Sequence, residues 1–413
     1  MTAWSEAKPQ RALSWSTFLS TYLPALVLAL GTGISLPGLP ALAQSFGVAF
    51  GLASGVITAF LLGNVTGTIP SGWLIDRFGR RPVLVAGPAL SAAIAFLVAG
   101  AHSFPELLAL RFLNGVAAQM WIMARLAAIS VEAEPGQRGR LVNWMFAMDN
   151  TGRLAGPLAG GFIAAAWGFR APFLAYGILA ILALLAAVAF SQGERKDDRR
   201  LRIARQVRSP LPLLRHVVAP RSSYFAVAVF AGLTRGPVQA DLLHLYAAFA
   251  YHLGPRQIGY LATSAAALSW PIGFLAGWML DRFGRKCTTV PGFAGTALAM
   301  AALGASAFLR LSLTWYVVLF LFAVSLIALT SGSIQTIGVD VAPPESRGMF
   351  LGLWRFAGQG GAASSPIFFA ALAAQVNYGS AFLFIAASAA VVAFLLVRYI
   401  PENDCRGSVN PVG

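Results

Sequence analysis

The sequence predicts an all-α membrane protein of twelve transmembrane helices, arranged as two pseudo-symmetric six-helix bundles. Three observations support this prediction: an extreme apolar composition, twelve apolar stretches of spanning length, and a repeat that relates the two halves. Of the 413 residues, 57% are hydrophobic and only 11% are charged, and the mean hydropathy is +0.70. Because soluble domains carry about 25% charged residues, a water-soluble fold of this size could not cover its surface with so few charges.

Each helix that crosses a bilayer needs about 20 predominantly apolar residues. Frequent glycine, with 42 in this chain, and internal proline are normal in membrane helices that pack closely. Twelve stretches fit this description and are numbered helix 1 to helix 12 in chain order: 17–38, 51–74, 82–101, 106–130, 141–165, 171–190, 222–248, 257–280, 288–309, 312–336, 348–373 and 378–399.

A long polar stretch at 191–221, rich in arginine, separates helix 6 from helix 7. We therefore expect an N-terminal bundle at 1–190, a cytosolic basic linker at 191–221 and a C-terminal bundle at 222–413. The linker is expected to anchor the topology near anionic lipid head groups; a regulatory docking segment is the alternative.

The basic residues predict the orientation. Of the 30 lysines and arginines, 22 lie at the termini, in the linker or in the loops that follow helices 2, 4, 8 and 10. The other side holds Arg170, Arg256 and Arg310. Because positive residues stay in the cytosol, we expect both termini to be cytosolic in a multi-pass plasma (inner) membrane protein. The net charge of +15 then reflects topology, and no nucleic-acid partner is expected.

The two halves of the chain repeat. Residues 72–81 read GWLIDRFGRR and residues 277–286 read GWMLDRFGRK, each after the second helix of its half. A second match in the same order links 135–157 with 344–366. A duplicated six-helix unit is a transporter architecture, with the binding site between the halves.

Both repeated loops are predicted to be tight turns in which glycine permits the turn. Asp76 can cap a helix end or pair with a base of the other half, so we expect a conformational latch; a static loop that only fixes topology is the alternative. Cys287, next to the second loop, and Cys405 are expected to form no disulfide, because both are assigned to the cytosol. The latch residues are Gly72, Asp76, Arg77, Gly79, Arg80 and Arg81, with Gly277, Asp281, Arg282, Gly284, Arg285 and Lys286 as their echo.

These loops resemble the signature loop of the major facilitator superfamily and its echo. The stretch 107–118, with Arg111 and Gly115, resembles a helix-4 motif of that family, although Asn114 stands where glutamine is frequent. The stretch 152–161 resembles the helix-5 motif of exporters that exchange substrate for protons. The resemblance covers essentially the whole chain and implies alternating access by two rocking bundles. The matching helix-5 residues are Gly152, Gly156, Pro157, Gly160 and Gly161.

Charges inside the membrane cost several kcal/mol unless they are paired or hydrated. Asp149 is the acid placed well inside the first bundle, and we predict it to be the proton-coupling residue. It could pair with Arg153 four residues later or with Arg125 of helix 4. Asp241 and His244, near the outer end of helix 7, are expected to face water. The candidates for substrate contact are Arg153, Arg235, Arg355, Arg125 and Trp354.

The function expected from these features is secondary transport of a small organic solute, coupled to protons and directed outward, by a protein that acts as a monomer. An excess of intramembrane arginine favours a cargo with a negative or strongly polar group. The alternatives are an importer of a small organic anion and a non-transporting membrane sensor. An enzyme is not expected, because no nucleophile–base pair, metal cluster or phosphate loop is found; no cofactor is expected.

Overall fold

A computed structural model describes residues 22–132, 138–190, 222–239, 241–342 and 347–399, which form helices joined by short turns. The linker at 191–221 and both chain termini lie outside the described residues. The helices are Leu23–Ser35 with Gly38–Ser45 (helix 1), Phe50–Ala53 with Gly55–Phe78 (helix 2), Arg80–Gly100 (helix 3), Phe104–Glu132 (helix 4), Arg138–Trp167 (helix 5), Ala171–Phe190 (helix 6), Ser222–Gln239 with Leu242–Ala250 (helix 7), Pro255–Phe283 (helix 8), Arg285–Phe308 (helix 9), Leu313–Leu329 with Ser333–Val341 (helix 10), Arg347–Gln375 (helix 11) and Tyr378–Tyr399 (helix 12).

Helices 1, 2, 7 and 10 are each divided into two segments, whereas the sequence pattern predicted continuous helices. Helix 1 bends by 44° at Leu36 and Pro37, because proline lacks the N–H that continues a helix. Helix 10 breaks at Gly332, whose φ of 78° is left-handed. Helix 7 breaks at Asp241, which has a φ of 65° although it is not a glycine.

Eight of the described helices are long and apolar enough to cross a membrane, or nine if the bent helix 1 is one span. The other three spans of the predicted twelve are helices 5, 7 and 11. Each of these contains an intramembrane arginine, and helix 5 contains Asp149 as well. The twelve-span arrangement is consistent with this structure, and the three less apolar spans are the ones that hold the candidate site.

The two bundles pack with the same pattern. Helix 1 packs on helices 5 and 6, helix 2 on helix 4, and helix 3 on helix 6. In the second half, helix 7 packs on helices 11 and 12, helix 8 on helix 10, and helix 9 on helix 12. The structure therefore shows the duplication that the repeated loops predicted.

Glycines set the closest approaches within each bundle. A Cβ at Gly152 or Gly156 would lie 2.6 Å from backbone atoms of Leu30, and one at Gly160 would overlap the carbonyl of Ile34. Gly361, the counterpart of Gly152 in helix 11, meets Val229 of helix 7 in the same way. The helix-5 glycines thus act in close packing.

The halves meet at one end of the molecule. We call the end that holds the turns at Gly79 and Gly284 the motif end, and the other the opposite end. Helix 5 packs on helix 8 and helix 2 on helix 11, and both close approaches lie toward the opposite end: Gly161 against Gly259, and Gly51 against Ala374.

The hydrophobic clusters also show that the halves meet only toward the opposite end among the described residues. One cluster of buried side chains at the opposite end joins residues of both halves. The described clusters around Trp121 and around Trp354 each stay within one half. The structure is therefore a conformer closed at the opposite end.

The helix 1–helix 5 contact gives a test of packing. Gly160→Ala places a methyl group against the Ile34 backbone, which cannot move as a flexible side chain would, so we expect a loss of roughly 1–3 kcal/mol of stability. Thermal unfolding of purified protein in detergent measures this.

Gly352→Ala is the matched control, because nothing lies within 4 Å of a Cβ there and alanine favours a helix over glycine. Equal melting temperatures for the two variants would contradict the packing assignment.

Candidate functional site

The two repeated loops adopt the same backbone conformation. Gly79 has φ 95° and ψ 168°, and Gly284 has φ 83° and ψ 170°. L-residues with a side chain rarely adopt such a positive φ, so glycine is needed at both turns, as the sequence predicted. Gly72 and Gly277 are different, because a Cβ at either would meet no atom within 4 Å.

The first arginine of each loop stacks on aromatic rings of its own helix. The Arg77 guanidinium lies 5.4 Å from the Trp73 ring centroid, and that of Arg282 lies 5.2 Å from the Trp278 ring. Both tryptophans are about half exposed. The repeat in the sequence is therefore a repeat of side-chain contacts as well.

Other latch candidates make contacts within their own half. Arg80 donates a hydrogen bond to the carbonyl of Ala128 at the end of helix 4. Arg285, its counterpart, forms an ion pair with Asp340 at the end of helix 10.

Asp76 is exposed and forms no ion pair with any described residue, so the proposed latch is not engaged in this conformer. Arg81 lies in the first turn of helix 3, and Lys286 lies in the first turn of helix 9. The side chain of Asp281 lies outside the described residues. Cys405 lies outside the described residues, so the expectation that the two cysteines form no disulfide stays a prediction.

Asp149 is paired with Arg125 in a bidentate ion pair. Two guanidinium nitrogens of Arg125 donate to the two carboxylate oxygens at 3.0 and 2.8 Å. The Arg125 side chain is 1% exposed and that of Asp149 is 22% exposed. Arg125 also lies over the Trp121 ring at 5.0 Å. Of the two pairings open from sequence, the structure shows the one between helices 4 and 5.

This pairing leaves three other candidate arginines without a carboxylate. Arg153, Arg235 and Arg355 form no ion pair with a described residue. Arg153 and Arg355 are exposed and Arg235 is half-buried, with its Nε atom lacking any hydrogen-bond partner in the described chain. An unpaired guanidinium inside a membrane protein needs water or an anion.

Trp354 and Arg125 are not accessible to a cargo in this conformer. Trp354 is 4% exposed and stacks on Phe350, and its indole approaches Gly338. The accessible members of the predicted set are therefore the three unpaired arginines.

The helix-4 motif combines close packing with a polar contact. A Cβ at Gly115 would overlap the carbonyl of Phe60 in helix 2. Arg111 donates to Asn114 at 3.3 Å and lies over the Phe60 ring at 4.8 Å. Asn114, which stands where glutamine is frequent, accepts this hydrogen bond and thereby positions Arg111.

The opposite end is closed by aromatic rings that the sequence analysis did not single out. Phe50 of helix 2 is buried against four rings of the C-terminal half, with centroid distances between 5.2 and 6.4 Å. Motif reasoning missed it because a phenylalanine in an apolar stretch has no distinguishing pattern. Its four partners are Tyr246, Phe249, Phe369 and Tyr378.

Comparison with known proteins gives a family. The family model of the Major Facilitator Superfamily matches residues 21–240 and 242–409. The quinolone resistance protein NorA of Staphylococcus aureus (strain MRSA252) is 28% identical over 177 residues, which cover 43% of this chain and 45% of NorA. The 4-hydroxybenzoate transporter PcaK of Pseudomonas putida is 31% identical over 271 residues, which cover 62% of this chain and 59% of PcaK. The matches thus span about half the length of these relatives.

Solved structures share the fold. The crystal structure of a D-xylose–proton symporter has a TM-score of 0.75 at 19% identity, covering 95% of this chain and 99% of that one. An inward-open conformation of the E. coli xylose transporter XylE has a TM-score of 0.74 at 18% identity, covering 94% and 97%.

The Arg125–Asp149 pair predicts a specific stability pattern. Asp149→Leu or Arg125→Met alone leaves a buried charge uncompensated, so each should cost about 3–5 kcal/mol. The double variant Arg125→Met/Asp149→Leu removes both charges and should recover most of that loss.

Thermal unfolding of the four proteins gives the coupling between the two positions. Additive losses in the double variant would show that the pair does not act as a buried unit.

Proposed function

Because the chain belongs to the Major Facilitator Superfamily, we propose that it is a proton-coupled antiporter that exports a small organic solute with an anionic or strongly polar group. Transport proceeds by alternating access of two bundles about a site between them. The membrane is the plasma (inner) membrane, and the motif end faces the cytosol because the basic residues lie there.

The observation that supports the cargo class is the surplus of unpaired arginine. Asp149 is already paired with Arg125, and no described carboxylate is paired with Arg153, Arg235 or Arg355. A carboxylate or phosphate accepts two parallel hydrogen bonds from a guanidinium. An anionic cargo would supply the partner that these arginines lack among the described residues.

The helix-5 motif and one relative favour export. Gly152, Gly156 and Gly160 hold helix 5 at backbone contact with helix 1, and Gly161 meets Gly259 of helix 8. The same helix therefore fixes the first bundle and forms the seal between the halves. NorA is described as a quinolone resistance protein, and export of a toxic solute is one way to confer resistance.

The latch acts in the conformer not shown. In the present conformer Asp76 is exposed and Gly72 and Gly277 have open space beside them. Closure of the motif end would bring these loops toward the other half, where Asp76 can pair with a base and the glycines permit close approach.

Import of a small organic anion is the second candidate. PcaK is described as a transporter of 4-hydroxybenzoate, a small aromatic carboxylate, and its identity to this chain is slightly higher than that of NorA. Both candidates require the same cationic site, and they differ in the direction of coupling to protons. A non-transporting sensor would bind such an anion without flux.

The cargo proposal is tested by flux into proteoliposomes of 4-hydroxybenzoate, D-xylose and tetraphenylphosphonium. We expect the anion to be transported, and Arg235→Gln to lower kcat/KM for it by roughly tenfold to a hundredfold through loss of a charged hydrogen bond. Arg398→Gln, at an exposed arginine at the end of helix 12, should leave flux unchanged.

Transport of the cation with no effect of Arg235→Gln would overturn the anion proposal. Binding of the anion without flux would favour the sensor. The direction of the pH gradient that accelerates anion flux distinguishes the two candidates. Exchange of the anion for protons would export it, whereas transport of the anion together with protons would import it.

Asp149 is the proposed proton-coupling residue. For a proton to bind, the pair with Arg125 must separate during the cycle, so Asp149→Asn should allow flux that no longer responds to a pH gradient. Asp149→Glu keeps a titratable carboxyl and should retain the response. Unchanged pH dependence in folded Asp149→Asn would assign the residue to structure alone.

A further inference from the structure

Helix 7 is interrupted by a strained acidic residue. Asp241 lies in the left-handed region with φ 65° and ψ 17°, a conformation that costs a residue other than glycine about 1–3 kcal/mol. The outer segment Leu242–Ala250 begins directly after it. Such strain is retained where the surrounding structure holds it, and it is concentrated at functional sites.

One turn further, His244 is buried beside this acid. Its Nδ1 lies 3.4 Å from an Asp241 carboxylate oxygen, and the two side chains are 8% and 37% exposed. Neither ring nitrogen has a hydrogen-bond partner among the described residues. The expectation that both residues simply face water is therefore wrong for His244. A buried imidazole with two unsatisfied nitrogens is unusual in a native structure.

The imidazole lies inside the closure of the opposite end. Its ring meets Phe320 edge-on at 5.3 Å, and Phe320 stacks on Tyr316. The Tyr316 hydroxyl donates to the carbonyl of Leu243. These side chains belong to the cluster that joins the two halves, with Phe50 of the other half in the same cluster.

Few charged groups surround the pair. Arg111 of helix 4, in the other half, interacts electrostatically with Asp241. The segments Gly38–Ser45 and Phe50–Ala53, which pack against Leu242–Ala250, contain no titratable residue. The neighbouring elements also carry Arg235 and Tyr246 of helix 7, Tyr251 and His252 directly after it, Arg256 and Tyr260 of helix 8, Tyr316 of helix 10 and Tyr378 of helix 12.

We propose that Asp241 and His244 form a proton-binding site that links protonation to opening of the opposite end. His244 accepts a proton at Nδ1, and the resulting N–H faces the Asp241 carboxylate. In the closed conformer the charged imidazole is enclosed by apolar rings, which disfavour charge. The Asp241 carboxylate meets only Nδ1, at 3.4 Å, and Nε2 has no hydrogen-bond partner among the described residues, so the acid compensates this cost incompletely.

Opening of the opposite end admits water to the imidazole, and this hydration removes the cost of burying its charge. By linkage, protonation then favours the open conformer. The inference rests on the proposed proton coupling, to which it adds a site on the side of the membrane opposite the motif end. A proton taken up there is available to drive exchange for a cargo that enters at the motif end.

The test uses purified protein without any cargo, so that it stands apart from the transport proposal. Spin labels on Leu52→Cys and Val376→Cys, both exposed residues at the opposite end, report the separation of the halves in a chain with serine at positions 287 and 405. Their distance distribution is measured between pH 8.5 and pH 5.5.

We expect the ratio of the longer-distance to the shorter-distance population to rise at least about fivefold as pH falls, the lower limit of typical coupling between sites. His244→Gln should abolish the rise. His252→Gln, at an exposed histidine of the same end, should retain it. Asp241→Asn should shift the midpoint of the transition.

A pH-independent distribution in the unsubstituted background, or a full rise in His244→Gln, would overturn the proposal. If His244→Gln does not fold, the Asp241→Asn midpoint decides, and an unchanged midpoint overturns it. Failure of anion flux with an intact distance response would refute the transport proposal alone.

Discussion

The cost of a charge in a low-dielectric interior organises this molecule. A membrane helix that includes arginine must give it a carboxylate, water or a ligand. Arg125 has the first of these, in a bidentate pair with Asp149 that ties helix 4 to helix 5. Arg153, Arg235 and Arg355 have no such partner in the described chain, and their helices are the three that fall short of the apolarity of an ordinary span. The need to hydrate these groups favours a water-filled space between the halves.

Because the halves touch at the opposite end, the space between them lies toward the motif end. Glycines bring helices 1 and 5, 2 and 4, and 7 and 11 to backbone contact, so each bundle is closely packed. The two bundles then touch through a Gly161–Gly259 approach on one side and through Phe50 and its aromatic partners on the other. The seal is therefore asymmetric although the fold is duplicated. It consists of a glycine–glycine approach on one side and of packed aromatic rings on the other.

The sequence predicted the features that depend on local chemistry or on repetition. Apolar length located the helices, and the repeated loops predicted two turns whose glycines have nearly the same positive φ. Spacing narrowed the partner of Asp149 to two arginines, but only the packing of helix 4 on helix 5 distinguishes them. The breaks in helices 1, 7 and 10 were not predicted, because the spans were located by their average apolarity, which does not register a single proline, aspartate or glycine inside a span. Neither was the burial of His244, which depends on rings supplied by helix 10.

We propose that a hydrated, positively charged cavity opens toward the motif end. The most direct measurement is the reaction of Asn150→Cys, one turn from Arg153 and exposed, with an anionic and a cationic methanethiosulfonate of similar size, in a chain whose own cysteines are serine. The rates are compared with those of a free thiol in solution. We expect the anionic reagent to react faster relative to that reference, and this preference to weaken in Arg153→Gln. Preference for the cationic reagent, or no reaction with either, would contradict it.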